Sequence, residues 1–498
     1  MNSYLLKRYV PLAVWIVVVF TIIVIPLKII GYGFLPMDDA LRHAAKAVSG
    51  KSWQQILVMR DDFQIDPSPG WQKILEWVRH TSWVHNWSGG ETEALVVFSV
   101  IALMLLATLS ALPWLRRPEA WLAALFLAAI FIPACTTRFA RGRPYLLTDA
   151  VLITILFLWS RQSEDRPRRA VLIFTPLLVA ASAWIHGSWY LLCLPGAAIL
   201  LAGLWRSAFC YGGCWLLGSF LGCSLTGHPL EFLLQALRHM SGAFGHFVVN
   251  RQLEPEWYPS DGEIPAVLAV VVLLLCRKIF PGWNPRAVLN PVFMMMVLGW
   301  LLGLKVRRFW WDFGTPAFMV WVALELQEHF ENHLTFDSGR RFLVTLGIAA
   351  GVFLGFTSDR DSRWTANLTT EYLTPDTPGV AGWLPGDGGI IYNSDMDVFY
   401  QMFFKNPTAD WRYVLGFEPG LMRPDDLETL RKIQWNHGAA FAAYEPWVQK
   451  MRPPDRMILR AAGGNPPDIP ELEWHYAVTG LWIGRLPQTQ PAADGTPK

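Results

Sequence analysis

The sequence has little charge: Asp, Glu, Lys and Arg make up 16% of its 498 residues, whereas 53% are hydrophobic. A soluble globular chain carries about 25% charge, so much of this protein's surface must face lipid. The net charge of +2 says little about partners, because membrane insertion sorts charge loop by loop, and no nucleic acid is expected to bind. Composition therefore places the chain among membrane proteins.

Several catalytic motifs are missing as well. The chain contains no Walker loop, HExxH, CxxC, GxSxG or Rossmann fingerprint. Nucleotide hydrolysis and dinucleotide redox chemistry therefore lack sequence support. The six cysteines all lie in or beside apolar segments and none follows Cys276, which excludes a disulfide framework in the C-terminal portion.

Apolar runs predict an α-helical polytopic membrane domain over residues 1–356. The first run, VPLAVWIVVVFTIIVIPLKII, is about long enough to cross a bilayer. About eleven transmembrane helices are expected, centred near residues 20, 103, 126, 152, 178, 197, 218, 270, 296, 319 and 348. Basic loops usually face the cytoplasm, so the N-terminal segment with Lys7 and Arg8 and the later basic loops are assigned to the inside. Because the number of predicted spans is odd, residues 357–498 then lie outside.

Large outer segments are expected at 31–93 and 227–263. The first contains two amphipathic stretches, DDALRHAAKAVSG and PGWQKILEWVRHTSW, and the second contains PLEFLLQALRHMSGAFGHFVV. Such helices lie flat in the membrane interface. We expect them to roof a cavity between the spans.

The chain changes character after residue 356. Residues 357–486 are rich in Gly, Pro, Asp and Trp, with two short strand patterns, GGIIYN and GLWIGRLP, and one helical pattern, DDLETLRKIQWNHG. About 140 residues suffice for an independent domain, so a soluble α/β domain is predicted here. Residues 487–498 are expected to be disordered.

Two short outer segments, TTRFARGRPY and LKVRRFWWDF, are exceptions to the positive-inside rule, by which Lys and Arg are enriched in cytoplasmic loops. They place six cations on the outer face: Arg138, Arg141, Arg143, Lys305, Arg307 and Arg308. Membrane insertion disfavours cations there, whereas an anionic ligand would explain them, since guanidinium forks bind phosphate in a bidentate manner. Ordinary anionic headgroups, or pairing with acidic neighbours such as Asp312, would explain them too.

Two adjacent carboxylates, Asp38 and Asp39, follow the first span in FLPMDDALRHAAKA. An aspartate at a helix N-terminus can cap it. An outer carboxylate among interfacial helices can also deprotonate an acceptor hydroxyl or bind a divalent ion, so Mg²⁺ or Mn²⁺ stays open. Asp38, which is nearer to the span, is the first choice for the catalytic carboxylate. His186, which ends a later span in WIHGSWY, is a candidate for substrate contact.

These features resemble the GT-C class of polytopic glycosyltransferases, which use polyprenyl-phosphate sugar donors on the outer or luminal face. The resemblance rests on MDDA, on the large first outer loop with two interfacial helices, and on RFARGRPYLLTDA. An Arg-Pro-Tyr at such a helix start recurs in relatives of protein mannosyltransferases and lipid A aminoarabinose transferases. The resemblance implies that Asp38 or Asp39 is catalytic, and that Arg141, Arg143 and Tyr145 hold the lipid phosphate.

The implied function is transfer of a sugar to an envelope acceptor, which can be a glycan, a lipid or a protein. The active face and the C-terminal domain would be periplasmic, at the inner membrane of a bacterium. A lipid-linked glycan flippase is an alternative, but it would need polar mid-membrane residues or repeats that the spans lack. Another envelope transferase is a further alternative: an acyltransferase would use His186 as base, and a phosphoethanolamine transferase would need a metal site in a large outer domain. A scaffold whose tail binds a partner is the last alternative, and it would leave the outer arginines unexplained.

Overall fold

The computed structural model of the protein describes residues 3–63, 65–160, 166–245, 251, 253–279, 287–332, 338–436, 441–461, 465–478 and 480–487. These residues are about 66% helical and include one five-stranded sheet. A mainly α-helical chain with α/β structure near its C-terminus is thereby confirmed. Of the predicted disordered tail, residues 488–498 lie outside the described part.

The described residues up to residue 357 are mainly helical, and their α-helices are joined by loops and short 3₁₀ or π turns. They are α1 Ser3–Ile30, α2 Asp39–Ser49, α3 Trp53–Ile56, α4 Pro69–Arg79, α5 Ser82–His85, α6 Glu91–Leu109, α7 Pro118–Phe131, α8 Ala134–Phe139, α9 Tyr145–Ser160, α10 Arg169–Ile185, α11 Leu194–Leu201, α12 Trp205–Ser224, α13 Pro229–Gly245, α14 Ile264–Ile279, α15 Pro291–Gly303, α16 Arg307–Phe309, α17 Thr315–Asn332 and α18 Ser338–Thr357.

Three helical stretches of the described residues are long and apolar enough to cross a membrane: Tyr9–Ile30, Glu91–Trp114 and Gly339–Thr357. A fourth results if α12 and α13, bent by 109°, count as one broken span. Six further apolar stretches have 10–17 residues. Every predicted span centre falls in a helix, but about eleven full spans remain a prediction.

Helix α1 has two contrasting faces. Val14, Val18 and Ile22 recur every four residues and are buried, as a helical period requires of a packed face. Ile16 and Phe20, on the other face, are 59% and 65% exposed. An exposed apolar face of this length suits a lipid environment.

The amphipathic stretches of the first outer loop form helices as predicted. Gly50 ends α2 with a φ of +64°, the left-handed conformation that glycine adopts most easily at a helix end. A later amphipathic stretch forms α13, which turns sharply away from α12. Residues of α2 and α13 line the cavity described below, together with the segment that precedes α4.

The C-terminal region contains the sheet, in the order β2-β1-β3-β5-β4. The strands are β1 Ile390–Tyr392, β2 Arg412–Tyr413, β3 Arg456–Arg460, β4 Glu473–Val478 and β5 Leu481–Arg485, and the helices are α19 Met396–Lys405, α20 Pro424–Trp435 and α21 Glu445–Lys450. Strand β1 is parallel to β2 and β3, whereas β5 pairs antiparallel with β3 and β4. The predicted strands and helix are therefore present, while the independence of the domain stays a prediction.

The first outer loop is joined to the C-terminal region by backbone hydrogen bonds. The Val58 N–H donates to the Tyr413 carbonyl at 2.8 Å, and the Arg60 N–H donates to the Leu421 carbonyl at 3.0 Å. Helix α19 also packs against α2. Side chains from α19 are thereby brought next to Asp39.

Candidate active site

A cavity of about 440 Å³ lies between the first outer loop, the start of α9, the end of α10, α13, α16 and the C-terminal region. Seven of the nine predicted site residues line it: Asp38, Asp39, Arg141, Arg143, Tyr145, His186 and Arg308. These residues come from positions up to 270 apart in the chain, between Asp38 and Arg308. The fold therefore gathers the two aspartates and arginines from both basic outer segments at one place.

Asp38 occupies the N-cap position of α2, but its side chain makes no capping hydrogen bond. Its Oδ2 accepts a hydrogen bond from Arg143 Nη2 at 2.9 Å and lies 3.7 Å from Arg141 Nε. Its Oδ1 is buried and has no hydrogen-bond partner. The carboxylate is thus turned towards the arginines, with one oxygen left to accept a proton or a hydrogen bond.

Asp39 is held from three sides. Its Oδ1 accepts hydrogen bonds from Arg42 Nε at 2.7 Å and from the Tyr400 hydroxyl at 3.2 Å, and its Oδ2 lies 3.7 Å from Arg143 Nε. Burial alone would raise the pKa of Asp39, but Arg42 and Arg143 hold this pKa well below its usual value. Asp39 is therefore a fixed, ionised carboxylate.

A tight turn at Gly142 presents Arg141 and Arg143. Gly142 has a φ of +61°, and a Cβ there would lie 3.0 Å from Val100 Cγ2 and 3.1 Å from the Val100 backbone nitrogen. Only glycine combines this conformation with such a close approach to α6. The Arg-Gly-Arg sequence is therefore a geometric device that places both guanidiniums at the cavity.

Glu256 lies at the centre of the arginines and is only 5% exposed. Its Oε1 accepts hydrogen bonds from three Nη1 atoms: Arg138 at 3.1 Å, Arg141 at 2.6 Å and Arg143 at 3.0 Å. Burial would raise the pKa of Glu256, but the guanidiniums, Arg138 foremost, hold this pKa well below its usual value. No sequence pattern singled out Glu256.

Arg308 joins the same cluster, whereas Arg307 does not. Arg308 Nε donates to Asp312 Oδ2 at 3.1 Å and lies 3.8 Å from Glu256 Oε2. Asp312 also binds Arg138, so pairing with an acidic neighbour does occur. Arg307 instead bonds to the Pro259 carbonyl at 3.1 Å and does not line the cavity.

Arg138 lies one layer below the cavity wall, where Tyr145 positions it. The Tyr145 hydroxyl donates to the Arg138 carbonyl at 2.9 Å, and the Arg138 guanidinium lies 4.8 Å from the centre of the Tyr145 ring. This cation–π contact adds to the hydrogen bonds that fix the arginine. Tyr145 thus acts on the cluster through Arg138.

His186 follows the end of α10 and faces the cavity. The next residue must be glycine, because a Cβ on Gly187 would lie 2.6 Å from the Pro67 carbonyl oxygen of the first outer loop. Burial, followed by the charge of Arg308, lowers the pKa of His186 to about 3. The ring is therefore neutral at pH 7 and is a poor general base there.

The C-terminal region closes part of the cavity with Met396, Asp397, Tyr400, Phe417 and Glu418. Burial and then Asp395 raise the pKa of Asp397 to about 6. Glu418 pairs with His239 of α13 at 2.6 Å. No local sequence pattern links these residues to the aspartates, since their proximity depends on how the sheet docks.

Asp38 and Asp39 do not fit a divalent cation as placed. Asp38 Oδ2 and Asp39 Oδ1 accept hydrogen bonds from arginines, and Asp39 Oδ2 lies 3.7 Å from Arg143 Nε. Asp38 Oδ1 is buried and has no hydrogen-bond partner. Across the described residues, no group of three or more His, Cys, Asp or Glu side chains is arranged to hold a metal ion. Guanidiniums supply the positive charge of this site.

Comparison with known proteins identifies no relative: no protein-family model matches the chain, and no curated protein matches it.

Proposed function

We propose that the protein is a membrane-embedded glycosyltransferase of the GT-C type, which transfers a sugar from a polyprenyl-phosphate donor to an envelope acceptor. The observation that carries the proposal is the cavity in which Asp38 meets Arg141, Arg143 and Arg308. Sugar transfer from a glycosyl phosphate requires a base that deprotonates the acceptor hydroxyl and positive charge that stabilises the leaving phosphate. Both are within this one cavity.

Asp38 is the general base in this proposal. The acceptor hydroxyl gives its proton to the Asp38 carboxylate, which lines the cavity, and the acceptor oxygen forms a bond to the anomeric carbon of the sugar. The bond between that carbon and the phosphate oxygen breaks, and the phosphate keeps the electron pair. Asp39 is ion-paired with Arg42 and Arg143, so in this proposal it positions the two guanidiniums and leaves the proton transfer to Asp38.

The arginines stabilise the leaving phosphate. Preorganised donors around developing negative charge commonly supply the largest part of catalysis. His186, neutral because its pKa is about 3, contributes hydrogen bonds to the substrate. A base role for His186, which an acyltransferase would require, is disfavoured by the same pKa.

The proposed location is the inner membrane of a bacterium, with the cavity and the C-terminal region on the periplasmic face. Three helical stretches of the described residues are long and apolar enough to span a bilayer. The bent pair α12–α13 and six shorter apolar helices lie at seven of the other eight predicted centres, which supports a polytopic arrangement. The basic inner loops support the orientation. The donor would then enter from the lipid, and the acceptor from the periplasm.

Sugar transfer by the purified protein in detergent or lipid tests the proposal, with a polyprenyl-phosphate sugar as donor. Asp38→Asn should lower kcat by about 10²–10⁴-fold, the usual contribution of a general base. Asp261→Asn is the matched control, because the Asp261 side chain is 96% exposed and contacts Arg307 outside the cavity. EDTA should leave the rate unchanged, since guanidiniums supply the charge.

Full activity of Asp38→Asn would remove this residue from catalysis. Full activity of both Asp38→Asn and Asp39→Asn would reject the proposed site. Transport of the lipid-linked sugar across a vesicle membrane, without transfer, would favour a flippase instead.

A further inference from the structure

Helix α2 presents three polar side chains to the cavity. Asp39, Arg42 and His43 are spaced three and four residues apart, which places them on one helix face, and all three line the cavity. Arg42 Nε donates to Asp39 Oδ1 at 2.7 Å, and the Arg42 guanidinium lies 3.9 Å from the centre of the Phe417 ring. Two of the three side chains are thus held in place by their neighbours, and the third, His43, has no role in the reaction described so far.

The His43 ring is buried without a hydrogen bond. The residue is only 1% exposed, and neither Nδ1 nor Nε2 has a hydrogen-bond partner among the described residues. An unpaired buried polar atom costs free energy, and most buried side-chain nitrogens in proteins are therefore hydrogen-bonded. A residue that served only the packing of α2 could be apolar and would avoid this cost. The ring is therefore available to a group that enters the cavity.

The surroundings of His43 keep its ring neutral. Burial and then the charge of Arg42 hold the pKa of His43 well below 6.5, and His186 and Arg143 act in the same direction against the opposite effect of Asp39. A neutral imidazole has one nitrogen that donates a hydrogen bond and one that accepts. An anion can use only the donor, whereas a hydroxyl group can pair with either nitrogen. The ring therefore suits a hydroxyl group better than a phosphate.

The position of His43 indicates which hydroxyl group it would meet. Arg143, one of the arginines assigned to the donor phosphate, is close enough to His43 for its charge to act on the ring. Asp38, the proposed base, occupies the N-cap of the same helix and accepts from Arg143 at 2.9 Å. The anomeric carbon has to lie between the base and the phosphate. The donor sugar would therefore lie beside the cavity face of α2.

We propose that His43 is a substrate-binding residue that forms a hydrogen bond with a hydroxyl group of the donor sugar. The inference rests on the proposed function, because it concerns the sugar of the same donor. It makes α2 a shared element of the site: its N-cap carries the base, and its next turn holds the sugar. A contact that is already made in the bound donor contributes to affinity more than to kcat.

Calorimetric titration of the full-length protein in detergent tests the inference with probes of equal charge. Methyl farnesyl phosphate has no sugar, and the glycosyl farnesyl phosphates of glucose, mannose, galactose and arabinose supply hydroxyl groups. At least one sugar ester should bind the wild type about fivefold to tenfold more tightly than the methyl ester, as one hydrogen bond implies. In His43→Leu this preference should fall to about twofold or less, because only the sugar esters lose a contact.

Two further variants serve as controls. His43→Gln keeps a donor and an acceptor on the side chain and should retain more of the preference than His43→Leu does. His80→Leu makes the same change at an exposed histidine that does not line the cavity, and it should bind every probe as the wild type does.

The preference for a sugar decides the outcome. An undiminished preference in His43→Leu would overturn the inference, and so would an equal loss of affinity for all probes, which indicates that His43 only shapes the cavity. A wild type that prefers no sugar ester to the methyl ester would overturn it too. These three results leave the phosphate site and the proposed function intact. Failure of every probe, the methyl ester included, to bind the wild type would reject the donor site itself.

Thermal unfolding without ligand separates a binding role from a structural one. Leucine has about the volume of histidine and buries no unpaired nitrogen. His43→Leu should therefore unfold at the temperature of the wild type or up to about 3 °C above it, as substitutions of binding residues often do. A lower unfolding temperature would show that the ring holds α2 in place, and it would overturn the inference.

Discussion

Two buried arginine–carboxylate clusters lie at opposite ends of α7. Where α7 begins, Glu119 accepts two hydrogen bonds from Arg341 of α18, at 2.7 and 3.0 Å, and Arg117 lies 3.5 Å away. Beyond the other end of α7, several arginines surround Glu256. Both carboxylates are nearly inaccessible, at 3% and 5% exposure. Burial therefore does not distinguish the two clusters.

What differs is how the hydrogen bonds are used. Each oxygen of Glu119 has its own donor on Arg341, the bidentate arrangement that is most favourable for this pair. One oxygen of Glu256 takes three donors, the other takes none, and the cluster borders a cavity. A fully paired cluster stabilises the packing of α7 against α18. The Glu256 cluster borders a cavity and has more guanidinium N–H donors than Glu256 accepts, so some donors are available for a ligand.

The largest effect is expected for Arg143→Lys. Arg143 contacts Asp38, Asp39 and Glu256 at once, and a lysine ammonium cannot reproduce this planar fork. Sugar transfer should fall by about 10²–10³-fold, as for loss of one oxyanion donor. Arg341→Lys is the matched control in the Glu119 cluster and should keep kcat per folded molecule. Equal losses of kcat in both variants would erase the functional difference between the clusters.

The sequence alone indicated the site residues that are unusual for their position in a membrane protein. The arginines near 141 and 308 stood out because cations on the outer face are costly, and the aspartates stood out because they follow the first span. The structure places members of both groups in one cavity. The helical class and several C-terminal elements were also predictable, since they depend on local hydrophobic periodicity.

Other site residues were not predictable because they obey every local rule. Glu256 follows a proline in an unremarkable polar stretch, and its role arises only when that stretch packs against Arg138, 118 residues earlier. Tyr400 is 361 residues from Asp39, and no periodicity carries that contact. Capping by Asp38 was a sound local expectation, but the nearby Arg143 guanidinium offers the carboxylate a charged partner.

The second effect is on stability, and here the larger loss is expected in the Glu119 cluster rather than in the Glu256 cluster. Glu119→Gln should lower the free energy of unfolding by about 3 kcal/mol, because it leaves the largely buried Arg341 guanidinium without its counter-charge. Glu256→Gln should lower it less, since several of the arginines around Glu256 line a cavity that solvent anions can reach. Thermal unfolding of the two variants in the same detergent checks this order. A larger loss for Glu256→Gln would show that both clusters are structural.

The third effect concerns the C-terminal side of the cavity. Tyr400→Phe removes the hydroxyl that donates to Asp39 at 3.2 Å and should cost about 1–2 kcal/mol in kcat/KM, or roughly five- to thirtyfold. Tyr372→Phe is the matched control, because its hydroxyl donates to the Met37 sulfur of the first outer loop, at 3.5 Å, and not to a carboxylate of the site. If the two variants have the same activity, Asp39 needs no hydrogen bond from the C-terminal region.

The smallest effect is a pH dependence at the roof of the cavity, where His239 of α13 pairs with Glu418 at 2.6 Å. Burial and Arg60 lower the pKa of His239, but Glu418, helped by Glu254, raises it overall above the usual 6.5. A raised pKa means that the pair is fully formed below pH 6.5. Its contribution is lost as the pH rises through the raised value.

Hydrogen exchange along α13 should therefore speed up as the pH rises above 6.5, beyond the intrinsic pH effect. The change should correspond to about 0.5–1 kcal/mol of local opening, the usual contribution of a single pair near the surface. Glu418→Gln should abolish it. His228→Gln, which removes an exposed pair with Glu231 at 3.3 Å, should not. If the pH dependence persists in Glu418→Gln, the His239 pair does not hold α13 against the C-terminal region. The position of α13 then depends on other contacts, such as the hydrogen bond of 2.6 Å from Gln235 to the Ile65 carbonyl.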